Sequence, residues 1–152
     1  MTSDKLVNLL QDAYVDEIET IMNYISNGVS LHGIRAEQVG QSLLNDVQEE
    51  LNHAQLLAER LNTLGEVPHG SLDAVMSQQS LQPPAERNDV ESVIKGVIDA
   101  ETEAIELYRE IIELAGEEGD YVTEDLAVQL LTDEEAHRAE FRDFAIEYDL
   151  EL

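Results

Sequence analysis

The chain has 152 residues, with 34 Asp and Glu against 8 Lys and Arg, and a formal net charge of −26. That length predicts a single domain over residues 1–152 with a true apolar core, and that charge excludes nucleic-acid binding through phosphates, which requires Lys and Arg. The absence of cysteine excludes disulfides, thiolate metal sites and cysteine nucleophiles, while the lack of a signal peptide or of an apolar run near the ~20 residues of a membrane span predicts a cytoplasmic protein with no membrane partner.

In chain order, apolar residues at spacings of three and four predict a first helix from about Lys5 to His32, with the stripe Leu6, Leu10, Ala13, Glu17, Ile21, Tyr24, Gly28. Asp16 and Glu19 lie off this stripe and are expected in solvent. A second helix, about Ala36 to Leu64, carries Val39, Leu43, Val47, Glu50, His53, Leu57 and Leu61, and Gly65 ends it. Residues 66–88 are non-periodic, with a short helix expected at 72–76 under Ser71 as cap. A connection of that length can run the whole length of a bundle, which allows parallel neighbours at that step. A third helix is predicted from about Asp89 to Ala115 (Val90, Ile94, Val97, Glu101, Ile105, Tyr108, Ile112), with Asn88 or Asp89 as cap. A fourth runs from about Thr123, as cap, to Tyr148 (Ala127, Leu130, Glu134, His137, Phe141, Phe144). The expected fold class is all-α: a four-helix bundle with a long crossover between helices 2 and 3.

Four acids interrupt these apolar stripes, and two belong to a repeated motif. Glu50-Leu51-Asn52-His53 and Glu134-Glu135-Ala136-His137 are both Glu-x-x-His, which puts a carboxylate and an imidazole on one helix face. With Glu at 22 of 152 positions, one such pair is close to chance. The pairs do not stand alone, because adding 84 maps Glu17, Tyr24, Glu50 and His53 onto Glu101, Tyr108, Glu134 and His137. The same helix pair is written twice. Four carboxylates facing a core repel one another and lose hydration, and few basic residues exist to compensate. Two divalent metals would do so. One Glu from each of two helices plus Glu-x-x-His from each of the others is the ligand pattern of a di-iron or di-manganese carboxylate site; ligand type alone also allows zinc. By symmetry, Glu17 and His53 are expected at one metal, Glu101 and His137 at the other, and Glu50 and Glu134 between them. Tyr24 and Tyr108 are expected either as core tyrosines or as hydrogen-bond donors to these carboxylates. His32 and His69 are expected in solvent.

At these residues the chain resembles the ferritin-like superfamily, bacterioferritins in particular and Dps-type mini-ferritins in part. The resemblance spans all four helices and fills all six metal positions. It implies a ferritin-like bundle that oxidises Fe(II) with O2 or H2O2 at a di-iron site, as a homo-oligomer that stores or detoxifies iron. It also implies that Asp46 and Glu49 match acidic positions able to hold iron in transit. Three departures matter. The residue after Glu50 is Leu51 where bacterioferritins carry their haem-ligating Met, so haem is not supported. Only 15 residues follow His137, which leaves no counterpart of the fifth helix that lines the 24-subunit shell. The long connection after helix 2 suits a 12-subunit shell better. The alternative is a stand-alone di-metal (Fe or Mn) redox enzyme of rubrerythrin or manganese-catalase type acting on peroxide. A metal-free interaction module would bury four acids without partners. The high acid content fits either a surface solvated in a high-salt cytoplasm or a field that draws cations to such a site.

Overall fold

Four helices form: α1 Asp4–Ser30, α2 Ile34–Thr63, α3 Val90–Glu118 and α4 Tyr121–Glu147. The computed structural model describes residues 2–152, and no strand occurs among them. Ser3 caps α1 by accepting from the Leu6 N–H, and Asp89 caps α3 by accepting from Ser92. α4 begins two residues earlier than the periodicity suggests. Its cap is Asp120, which accepts from the N–H and the hydroxyl of Thr123, the residue expected to be the cap itself. Gly119, at φ 72°, turns the chain between α3 and α4 in the left-handed conformation that glycine tolerates.

α1 and α2 pack antiparallel, as do α3 and α4. Gly28 and Gly40 let the first pair approach closely: a Cβ on Gly40 would lie 3.2 Å from the Gly28 carbonyl oxygen. The connection 64–89 then returns along α1 in the direction of α1 itself. Gln11 Nε2 donates to the Val67 carbonyl, Asn27 Nδ2 to that of Leu81, and Arg87 Nε to that of Ser30. α2 and α3 therefore run parallel.

The crossover corrects three expectations. The short helix at 72–76 does not form; residues 71–73 make only a turn. Leu72 is 99% and Val75 75% exposed, so no apolar face is there to be buried. Glu19 is buried rather than solvated, because the crossover covers it and its carboxylate accepts from the N–H groups of Ser77 and Gln78 at 2.8 and 2.6 Å. Asp16 is half-buried beside it. His69 is also half-buried, its N–H donating to Gln11 Oε1, whereas His32 is exposed as expected.

The apolar core is split in two. One cluster holds Tyr24, Leu43, Ile94, Val97 and Phe141; the other holds Leu6, Leu10, Leu57, Tyr108, Ile111 and Leu130. Between them lies a polar layer made by the acids that interrupt the four stripes. No helix among the described residues is long and apolar enough to cross a membrane.

Candidate metal centre

Each helix delivers its share of the polar layer because the interrupted stripe is also the core-facing stripe. Glu17 comes from α1, Glu50 and His53 from α2, Glu101 from α3, and Glu134 and His137 from α4. All six are buried, His53 completely and His137 at 4% exposure. They form two overlapping quartets. Glu17, Glu50, His53 and Glu134 each offer one ligand-type atom within 4.8 Å of the others, and so do Glu50, Glu101, Glu134 and His137. Glu50 and Glu134 belong to both.

The imidazoles present Nδ1 to this layer. His53 Nδ1 lies 2.9 Å from Glu134 Oε1 and 3.7 Å from Glu17 Oε2; His137 Nδ1 lies 3.1 Å from Glu50 Oε1 and 3.9 Å from Glu101 Oε1. Their outward nitrogens are held by acids from the opposite half. His53 Nε2 is 2.9 Å from Asp133 Oδ2, and His137 Nε2 is 2.9 Å from Glu49 Oε2. A carboxylate there accepts from Nε2–H, which leaves the Nδ1 lone pair free to face inward. The tyrosines cross over in the same way: the Tyr24 hydroxyl donates to Glu101, and the Tyr108 hydroxyl to Glu17.

Sequence reasoning did not assign the role of Asp133, and it linked Glu49 only to iron transit. A signal for both was present. Each immediately precedes the Glu of its motif, and 49 and 133 obey the same offset of 84. Asp46 joins Glu49 and His137 in a smaller acidic group near the surface. Burial pushes the Asp46 carboxyl up to about 6, against the pull of His137.

The electrostatics are those of a layer that holds too many carboxylates. Burial, then the charge of Glu50, pushes the Glu17 carboxyl up to about 8. Burial with the charges of Glu17 and Glu101 drives Glu134 well above the ordinary carboxylate range. Glu50 goes the other way: burial opposes its charge, but the neighbouring Glu17, His137 and His53 hold it low. Burial also opposes charge on the imidazoles, yet the surrounding carboxylates raise His53 strongly and bring His137 up to about 10. Without metal, protons carry the compensating charge.

That compensation is incomplete. Both oxygens of Glu50, Glu101 Oε2, Glu134 Oε1 and both inward Nδ1 atoms are buried without a hydrogen-bond partner. Native proteins rarely leave buried polar atoms unpaired, and these six converge on one place. Carboxylate oxygens and imidazole nitrogens in that arrangement are the donor set that divalent iron or manganese takes. The residues present therefore fit a pair of cations, one per quartet.

Comparisons with known proteins agree with the architecture. The chain matches the family model described as ferritin-like domain over residues 7–148. It is 25% identical over 133 residues to a bacterioferritin from Desulfovibrio desulfuricans, covering 88% of this chain and 70% of that protein. Two solved structures share the fold. A bacterioferritin-related dodecameric thioferritin from Bacteroides fragilis superposes with TM-score 0.86 at 24% identity, covering 98% of this chain and 89% of that one. A ferritin-like diiron-carboxylate protein from Bacillus anthracis superposes with TM-score 0.78 at 22% identity, covering 94% and 98%. With its four helices, its crossover and a family match spanning nearly its whole length, the chain belongs to the ferritin-like di-iron superfamily.

Proposed function

We propose that the protein is a ferroxidase whose substrate is Fe(II), bound in pairs by Glu17, Glu50, His53, Glu101, Glu134 and His137. The observation that carries this reading is the convergence of six buried donor atoms without a hydrogen bond, from α2, α3 and α4. Glu17 and His53 would hold one ion, Glu101 and His137 the other, with Glu50 and Glu134 shared. Each Fe(II) gives up one electron. The pair reduces O2, with two protons, to H2O2, or reduces H2O2, with two protons, to two waters. Protons displaced from Glu17, Glu134 and the imidazoles as metal binds are available for that reduction. Asp133 and Glu49 keep each imidazole turned with Nδ1 inward, and the tyrosine hydroxyls orient Glu101 and Glu17.

Fe(III) then leaves for storage or detoxification inside a homo-oligomeric shell. The dodecameric state of the Bacteroides fragilis relative supports twelve subunits. The strongly acidic chain, at −26, draws cations toward the site. The test is anaerobic Fe(II) titration followed by exposure to oxidant, with native mass and iron content of the product. Two Fe(II) per chain, their oxidation, and an iron-loaded assembly are expected. A chain that binds no Fe(II) pair refutes the ferroxidase reading, and a small oligomer that turns over peroxide and retains no iron refutes storage.

A further inference from the structure

The two halves of the metal layer carry the same ligand types but are not supported alike from outside. Of residues 66–88 only Gln78 and Leu81 are buried, and each polar atom of Gln78 is engaged. Its N–H donates to Glu19 Oε2 at 2.6 Å and its Nε2 to Thr20 Oγ1 at 3.0 Å. Its Oε1 accepts from Asn23 Nδ2 at 2.7 Å, and its carbonyl accepts from Gln82. The N–H of Ser77 donates to the other oxygen of Glu19. Glu19, Thr20 and Asn23 are all buried. They lie between Glu17 and Tyr24 in the sequence, on the side of α1 that faces the crossover. α3 has no such anchor. The offset of 84 puts Glu103, Ala104 and Leu107 where α1 has Glu19, Thr20 and Asn23. Ala104 and Leu107 offer no side-chain donor or acceptor, and Glu103 is exposed where Glu19 is caught by two N–H groups. That turn of α3 receives a long hydrogen bond instead, 3.4 Å from Arg138 Nη1 to Thr102 Oγ1. The crossover meets α3 closely at Gly96, more than a turn before Glu101, where a Cβ would lie 2.5 Å from the Ser80 carbonyl oxygen.

We propose that Gln78 is a positioning residue of the metal centre, and that it tightens the Glu17–His53 position on its ion while leaving the Glu101–His137 position nearly untouched. A carboxylate whose helical turn is already fixed loses less freedom when it takes an ion, and such preorganisation raises affinity without adding a ligand. Gln78 fixes the turn that follows Glu17. It reaches Glu101 only at one remove, through the hydroxyl of Tyr24. The other supports come in matched pairs: Tyr108 on Glu17 with Tyr24 on Glu101, and Asp133 on His53 with Glu49 on His137. Gln78 has no match, because the crossover passes once and runs along α1.

The inference deepens the two-ion reading proposed above and rests on it. The test is the occupancy of each position by anomalous scattering, in crystals of the whole protein loaded with substoichiometric Mn(II), for wild type and Gln78→Ala. The ratio of occupancy at Glu17–His53 to that at Glu101–His137 should fall about tenfold in Gln78→Ala, with helicity by circular dichroism unchanged. Thr20→Ala, which writes the α3 residue into α1, is the milder change and should move the ratio in the same direction. Leu81→Ala removes the other buried side chain of the crossover. It should lower the melting temperature yet change the ratio by less than about twofold. A ratio that neither Gln78→Ala nor Thr20→Ala moves, or one that Leu81→Ala moves as far, overturns the inference and leaves the two-ion centre standing. Wild type that takes no pair of ions at saturating Mn(II) refutes the two-ion reading itself.

Discussion

Replacing Glu50 and Glu134 together by Leu tests whether these acids serve a cation or the fold. Three buried oxygens of these two carboxylates, both of Glu50 and one of Glu134, lack a hydrogen bond, and two of them, Glu134 Oε1 and Glu50 Oε1, are held only by ion pairs to imidazole. Each unpaired buried group costs about 1–3 kcal/mol, and Leu fills similar volume between two existing apolar clusters. Against this gain stand the ion pairs from Glu134 to His53 at 2.9 Å and from Glu50 to His137 at 3.1 Å. Their loss is limited because each imidazole can give up its proton once those carboxylates are gone. Exchanging a buried ion pair for apolar groups of like size ranges from neutral to stabilising by about 1–4 kcal/mol, and here the imidazoles, once deprotonated, leave no charge stranded. The metal-free double variant should therefore melt several degrees higher, at about 2–4 °C per kcal/mol for a chain of this size. Calorimetry on chelator-treated protein measures the shift, and metal titration should show that paired binding is lost. A metal-free variant markedly less stable than wild type would refute the reasoning, since the acids would then be part of the scaffold.

Stability of the metal-free protein should fall as pH rises from about 5 to about 10. Glu17, moved from 4.5 to about 8, and His137, moved from 6.5 to about 10, keep protons in the fold that the unfolded chain has released, so both contributions are largest at the acid end. Glu50, held low, opposes them only in acid. Urea melts across that range check the slope, and saturating metal should remove it by replacing the protons. Asp133→Asn and Glu49→Gln should each weaken metal binding about 10–100-fold while the fold persists, because each releases an imidazole from its orientation; calorimetric titration distinguishes this from unchanged affinity. Glu19→Ala strands the buried N–H of Gln78 and frees that of Ser77. It should destabilise by about 1–3 kcal/mol and speed hydrogen exchange in the crossover before the helices.

Local properties were legible without coordinates. Helix periodicity put Glu50 and His53 on one face, and the offset of 84 paired each with its counterpart in the other half. Both follow from backbone geometry within a helix and from repetition along the chain, which a sequence displays directly. What joins the halves was decided only in three dimensions. His53 meets Asp133, His137 meets Glu49, Tyr24 meets Glu101 and Tyr108 meets Glu17. Each contact depends on which helices become neighbours and at what height, and that is set by the crossover and the close approach at Gly28 and Gly40. The same cause explains Glu19 and Asp16. A single stripe marks the face of α1 turned to the bundle, but around Glu19 the crossover covers a second face of α1 through hydrogen bonds. Hydrophobic periodicity carries no trace of burial achieved that way.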